Sequence, residues 1–99
     1  MRKIVLLCAA GMSTSLLVTK MEEYAKSIGY EIDIDAHPVS MASISGKGAD
    51  IVLLGPQIRF NLNKVKELVT CPVEAIDMVA YGTMNGKKVI DRVKELLGD

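Results

Sequence analysis

Along the chain, apolar and polar positions form blocks whose period changes repeatedly. Residues 3–8, Lys-Ile-Val-Leu-Leu-Cys, run nearly unbroken and predict a strand covered on both faces. Over residues 16–28, Leu17, Met21, Tyr24, Ala25 and Ile28 recur at three- and four-residue steps. Lys20, Glu22, Glu23 and Lys26 fill the gaps, so this block predicts an amphipathic helix. Gly29 sits where a glycine commonly ends one. Residues 30–36 then alternate strictly, with Tyr30, Ile32, Ile34 and Ala36 pointing one way. That is a strand with one wet face, expected at a sheet edge.

A short helix fits residues 38–44, stopped by Ser45-Gly46-Lys47-Gly48. Residues 50–54 read as a second central strand, closed by the turn Gly55-Pro56-Gln57. Ile58, Leu62, Val65, Leu68 and Val69 predict a third helix. Pro72 holds Cys71 extended ahead of a short fourth strand over 73–76. Residues 77–85 show no period and read as irregular. A last helix over 86–97 should bury Val89, Ile90, Val93, Leu96 and Leu97.

Strand–helix alternation with short links implies right-handed crossovers, an α/β fold and a four-stranded parallel sheet with helices on both faces. With the first and third strands central, the order is about 2-1-3-4. Ligands in such sheets bind beyond the carboxyl ends of the strands, where the winding reverses. Here that point is Cys8.

Composition narrows the picture. Ninety-nine residues, 49 % of them hydrophobic, suit one packed domain over 1–99. Twelve basic and twelve acidic residues cancel, and one Phe with no Trp offers no stacking platform, so nucleic acid is not expected as a partner. The longest apolar stretch, residues 4–10, falls far short of the ~20 residues of a membrane helix. Counted before any plausible cut, it is also shorter than the ~7–15 residues of a signal core, and cleavage before Cys8 would remove the central strand, so a cytoplasmic protein is expected. Cys8 and Cys71 lack metal-ligand spacing, and no metal or cofactor is expected. They fall at opposite ends of the sheet, separated by about the 17 Å of a five-residue strand. Bridged Cα atoms need about 7 Å, so two thiols are expected, with Cys71 buried and inert.

Cys8 is followed by Ala9-Ala10-Gly11-Met12-Ser13-Thr14-Ser15 and then the helical pattern. Unpaired N–H groups and the positive dipole end of a helix start attract anions. The same field favours thiolate over thiol. Taken alone, Cys8 reads as a buried structural thiol. The loop changes that: Ala9 and Ala10 leave room, Gly11 allows close backbone approach, and Ser13, Thr14 and Ser15 bring three hydroxyls where one cap would do. Met12 fits either the core or a partner contact. No Gly-Lys-Ser/Thr follows, which excludes a Walker-type nucleotide loop. His37, the sole histidine, reads as a solvated residue rather than a base.

Cysteine phosphatases place an arginine six residues after the nucleophile, and that place here is Thr14. By analogy with arginine-finger effects of about 10³–10⁵, its absence should slow hydrolysis greatly. The loop then suits a carrier that holds a phosphoryl group until it can be passed on.

Three segments carry a resemblance: Ile-Val-Leu-Leu-Cys-Ala-Ala-Gly-Met-Ser-Thr-Ser-Leu-Leu17, Asp-Ile-Val-Leu-Leu-Gly-Pro-Gln57, and Pro-Val-Glu-Ala-Ile-Asp77 followed by Tyr81-Gly82. Together they resemble the IIB component of the lactose/cellobiose (also chitobiose or lichenan) branch of the bacterial sugar phosphotransferase system, over essentially the whole chain. The resemblance implies a fold similar to low-molecular-weight tyrosine phosphatases. It implies that Cys8 takes a phosphoryl group from a phosphohistidine of IIA. Cys8 would then pass it to a β-linked disaccharide at the membrane transporter IIC, at the inner face of the membrane; the lack of an exposed apolar repeat in the sequence favours a monomer between such complexes. Phosphate binding would fall to Ala9, Ala10, Gly11, Met12, Ser13, Thr14 and Ser15. Met12, Ile58, Tyr81 and Met84 are expected to form an apolar contact collar for IIA and IIC. Asp77 could be the remnant of a phosphatase-like acid, though a capping role is the expectation. The alternatives are a cysteine phosphatase or thiol reductase on the same scaffold, and a non-catalytic anion-sensing module.

Overall fold

A computed structural model describes residues 1–9 and 15–99 of the chain. Its centre is β1 (Arg2–Cys8), whose apolar run Ile4, Val5, Leu6 and Leu7 is at most 1 % exposed. One neighbour is β2 (Ile32–Pro38), paired in parallel from Arg2↔Ile32 to Cys8↔Pro38. The other is β3 (Ile51–Leu54), paired from Ile4↔Ile51 to Leu7↔Leu54. Beyond it, β4 (Val73–Ala75) pairs with β3 to complete the order β2-β1-β3-β4. The expected parallel sheet and strand order are both found.

Alternation along β1 and β3 divides the core in two. Ile4, Leu6, Ile51 and Leu53 face α1 (Ser15–Ser27) and the last helix through Leu17, Met21, Val89, Ile90 and Val93. On the other face, Val5, Leu7, Val52 and Leu54 meet Ala42 of α2 (Ala42–Ser45) and Val65 of α3 (Leu62–Leu68). The winding therefore reverses between β1 and β3, and Cys8 ends β1 at that point.

Several boundaries differ from expectation. Ile28 lies beyond α1 and is 41 % exposed. The β2 edge strand runs on to Pro38, and Ala36 is exposed although it shares a face with buried Ile34. At an edge, alternation sets direction but not cover. The expected third helix is two pieces: a 3₁₀ segment (Pro56–Asn61) with non-helical backbone at Ile58, then α3. Three-residue spacing fits both helix types, so the period could not separate them. Residues 77–85, expected irregular, contain α4 (Met78–Gly82), barely more than one turn and too short to show a repeat. The last helix, α5 (Gly86–Leu97), matches expectation, with Asn85 Oδ1 accepting from Lys88 N at 3.1 Å as its cap.

Gly86 explains how α5 seats on α1. A Cβ there would lie 2.5–2.6 Å from the backbone of Lys20 and Met21, distances that real side chains do not tolerate. At the amino end of the sheet, Arg2 donates to both carboxylate oxygens of Asp99, at 2.9 and 2.8 Å, and Tyr30 Oη donates to Oδ2 at 2.6 Å. These bonds hold the Asp99 carboxyl at about 2, while burial, and then the bond to Asp99, push the Tyr30 phenol up to about 12.

Two outcomes follow. Gly86→Ala should destabilise the fold by about 1–3 kcal/mol in urea unfolding, because the clash is with backbone and cannot relax by rotation. Asp99→Asn should lower the melting temperature at pH 7. The folded carboxyl is depressed below its unfolded value of about 3.9, so its contribution is complete above that value and fades as pH falls towards 2. The gap between variant and wild type should close over that interval; a constant gap would contradict the assignment.

Candidate functional site around Cys8

Cys8 is held by backbone on both sides. Its register partner across the sheet is Pro38, and its Sγ lies 3.7 Å from the His37 carbonyl oxygen, a weak S–H donor contact. On the β3 side, Gly55 N donates to Leu7 O at 2.9 Å, and Ile76 N donates to Leu54 O at 2.8 Å. The residue is 9 % exposed and counts among the buried residues of the core, at the carboxyl end of its strand. Ala9 is half-buried and Ser15, the first residue of α1, is exposed. Ala10, Gly11, Met12, Ser13 and Thr14, the rest of the expected phosphate loop, lie outside the described residues. The first turn of α1 contains no carboxylate that would offset the positive end of its dipole.

The expected apolar collar is not built as anticipated. Ile58 is only 4 % exposed and packs under the sheet with Val65 and Val73. Tyr81 is only 7 % exposed, within the α1/α5 half of the core. Both are interior residues, because the 3₁₀ segment and α4 turn these positions inward. Met84 is half-buried against the same cluster, in left-handed backbone (φ 52°) that ends α4. Met12 lies outside the described residues. The apolar side chains exposed on segments following the strand carboxyl ends are instead Leu16 (51 %), Met41, Ile44, Phe60, Met78 and Val79. Only a helix at 78–82, capped by Asp77, would have revealed that Met78 and Val79 face outward.

Tyr81 nonetheless belongs to the neighbourhood of the thiol. A Cβ on Gly55 would sit 3.9 Å from the Tyr81 ring and 3.7 Å from Leu7 O, so the ring and the Leu7 carbonyl both border Gly55. Burial raises the phenol's pKa above its usual value, the charge at Cys8 adds to the rise, and the nearby Gln57 side chain opposes it. Beside the ring is an open hollow of about 300 Å³ lined by Pro56, Gln57, Met78, Tyr81 and Gly82.

The Asp77 carboxylate accepts from Ala80 N at 3.0 Å, capping α4, and is 3.4 Å from Lys88 Nζ. The N–H bond, followed by Lys88, holds it below the ordinary carboxylate range. Capping is what the geometry displays. His37 is half-buried within β2 rather than solvated in a loop. Cys71 is half-buried, not fully buried, and desolvation pushes its thiol up. Both cysteines are unbridged. Among the described residues no three His, Cys, Asp or Glu side chains gather as a metal site, and no helix is long and apolar enough to cross a membrane.

The family described as PTS system, Lactose/Cellobiose specific IIB subunit, matches residues 3–92. This chain belongs to that family. It is 48 % identical to the oligo-beta-mannoside-specific EIIB component of Bacillus subtilis (strain 168), over 98 % of this chain and 97 % of that one. It is 38 % identical to a galactose-specific EIIB component of Lactococcus lactis subsp. cremoris (strain MG1363), over 95 % and 94 %. The solution structure of a cellobiose-specific IIB component from Borrelia burgdorferi superposes with a TM-score of 0.80 at 40 % identity, over 98 % and 92 %. A lactose-specific IIB domain from Streptococcus pneumoniae gives 0.80 at 21 % identity, over 96 % of both chains, a likeness of fold.

The protein is therefore a sugar-specific IIB component of the lactose/cellobiose type, a carrier of the phosphotransferase system. Within this IIB fold, Asp77 should behave as a cap and nothing more. Asp77→Asn, an equally good cap, should melt with the wild type at pH 7, whereas Asp77→Ala should melt lower. The lost pairing with exposed Lys88 should matter little.

Proposed function

We propose that Cys8 is the phosphoryl-carrying nucleophile of this IIB component, and that residues 1–99 act as one cytoplasmic phosphocarrier domain between IIA and the membrane transporter IIC. The observation that carries this reading is the position of Cys8, a thiol at the carboxyl end of the central strand where the winding reverses. Thr14, where a phosphatase would have arginine, supports a carrier over a hydrolase.

In the first step the Cys8 thiolate attacks phosphorus on a IIA phosphohistidine in line. The S–P bond forms, the N–P bond breaks, and the imidazole leaves with the electron pair. In the second step a hydroxyl oxygen of a β-linked disaccharide held by IIC attacks the same phosphorus. The O–P bond forms, the S–P bond breaks, sulfur regains its electron pair, and the hydroxyl proton passes to solvent or the acceptor site. Both steps depend on placement and on stabilising charge on the phosphoryl oxygens. The backbone N–H groups and hydroxyls of residues 9–15 are the donors this reading assigns. Exposed Leu16, Met78 and Val79, on the helices that follow β1 and β4, supply apolar surface for transient partners, between which the protein is monomeric.

Incubation with IIA, enolpyruvate phosphate and the general phosphotransfer proteins should add the mass of one phosphoryl group, absent in Cys8→Ser. An unmodified wild type, or multiple turnovers on a small aryl phosphate without partners, would overturn the reading. Val79→Asp should slow transfer from phosphorylated IIA about tenfold, a typical cost of charging a contact surface, with an unchanged melting temperature.

A further inference from the structure

Tyr81 presents a problem that the fold alone does not solve. Its side chain is 93 % removed from solvent, yet its hydroxyl oxygen, itself buried, has no hydrogen-bond partner among the described residues. Gln57 approaches it without completing a bond. A buried hydroxyl left in this state costs stability, and phenylalanine would fill the same space without that cost. The ring lies over Gly55, whose N–H bonds Leu7 O, and is close enough to Cys8 for a charge there to act on the phenol. An orphan donor beside a nucleophile points to a group that is absent from the resting protein.

On the phosphocarrier reading of Cys8, we infer that the Tyr81 hydroxyl donates a hydrogen bond to a phosphoryl oxygen once the group is bonded to Cys8 sulfur. Tyr81 is thus an uncharged donor supplied from α4, and it serves the phosphorylated state alone. No proton is transferred: burial keeps the phenol protonated at neutral pH, and the bond forms and dissolves as the phosphoryl group arrives and leaves. An uncharged donor also suits a carrier. It steadies the oxygens while adding no cation that would hold the group against transfer.

Tyr81→Phe tests this through effects of opposite sign. Without phosphorylation, the variant should melt at or above the wild-type temperature. In equilibrium with phosphorylated IIA, its phosphorylated fraction should correspond to an exchange constant about tenfold lower, the scale of one hydrogen bond to a charged group. The rise in melting temperature on phosphorylation should shrink, and the phosphocysteine ³¹P resonance should move. A resting variant that melts lower would show that the hydroxyl is already bonded in the unmodified protein, and would overturn the inference. An unchanged exchange constant with a normally phosphorylated Cys8 would overturn the role of Tyr81 and leave the carrier reading intact. A wild type that takes no phosphoryl group onto Cys8 would end both.

Discussion

Ile4, Val5, Leu6 and Leu7 are shielded from water on both faces of the sheet, each contributing about 1.5–3 kcal/mol of apolar burial. This double cover forces helices onto both sides, and a chain that covers both sides must reverse its winding beside β1. The reversal opens the carboxyl edge between β1 and β3, and Cys8 follows Leu7 directly into it. Thus a central, doubly covered strand carries the thiol at its carboxyl end. The Cys8 backbone is paired with Pro38 on one side and follows the Leu7–Gly55 bond on the other.

The chemistry at that end has a consistent character. Thr14 replaces a guanidinium, the first turn of α1 has no carboxylate, and Tyr81 is held as a neutral phenol. Asp77, the nearest thing to a general acid in the sequence, is committed to the α4 cap and to Lys88. Transfer between two partners needs a bound group that is neither hydrolysed nor trapped. Neutral donors, with charges directed elsewhere, meet that requirement.

Most of the fold was legible because its period signals are long. Residues 3–8 and 50–54 could only be covered strands, and the stripe Val89, Ile90, Val93 fixed α5 from end to end. Legibility failed where an element was shorter than its own repeat: α4 spans five residues, and the 3₁₀ segment shares its spacing with an α-helix. The site suffered most from this. Without α4, Tyr81 and Ile58 read as rim residues when they are core, while Met78 and Val79 went unnoticed as surface. Cys8 itself was legible because strand end, small-residue loop and helix start are adjacent in sequence. An orphan hydroxyl can be read only from three-dimensional neighbours.

Gly86 carries a mechanical consequence. Because α5 begins on the bare backbone of Lys20 and Met21, no layer of side chains lies between the two helices there to act as a cushion. The Met84–Asn85 turn that launches α5 leads directly out of the helix bearing Tyr81. At Gly86 main chain rests on main chain, so backbone radii alone set how far apart the two helices stand.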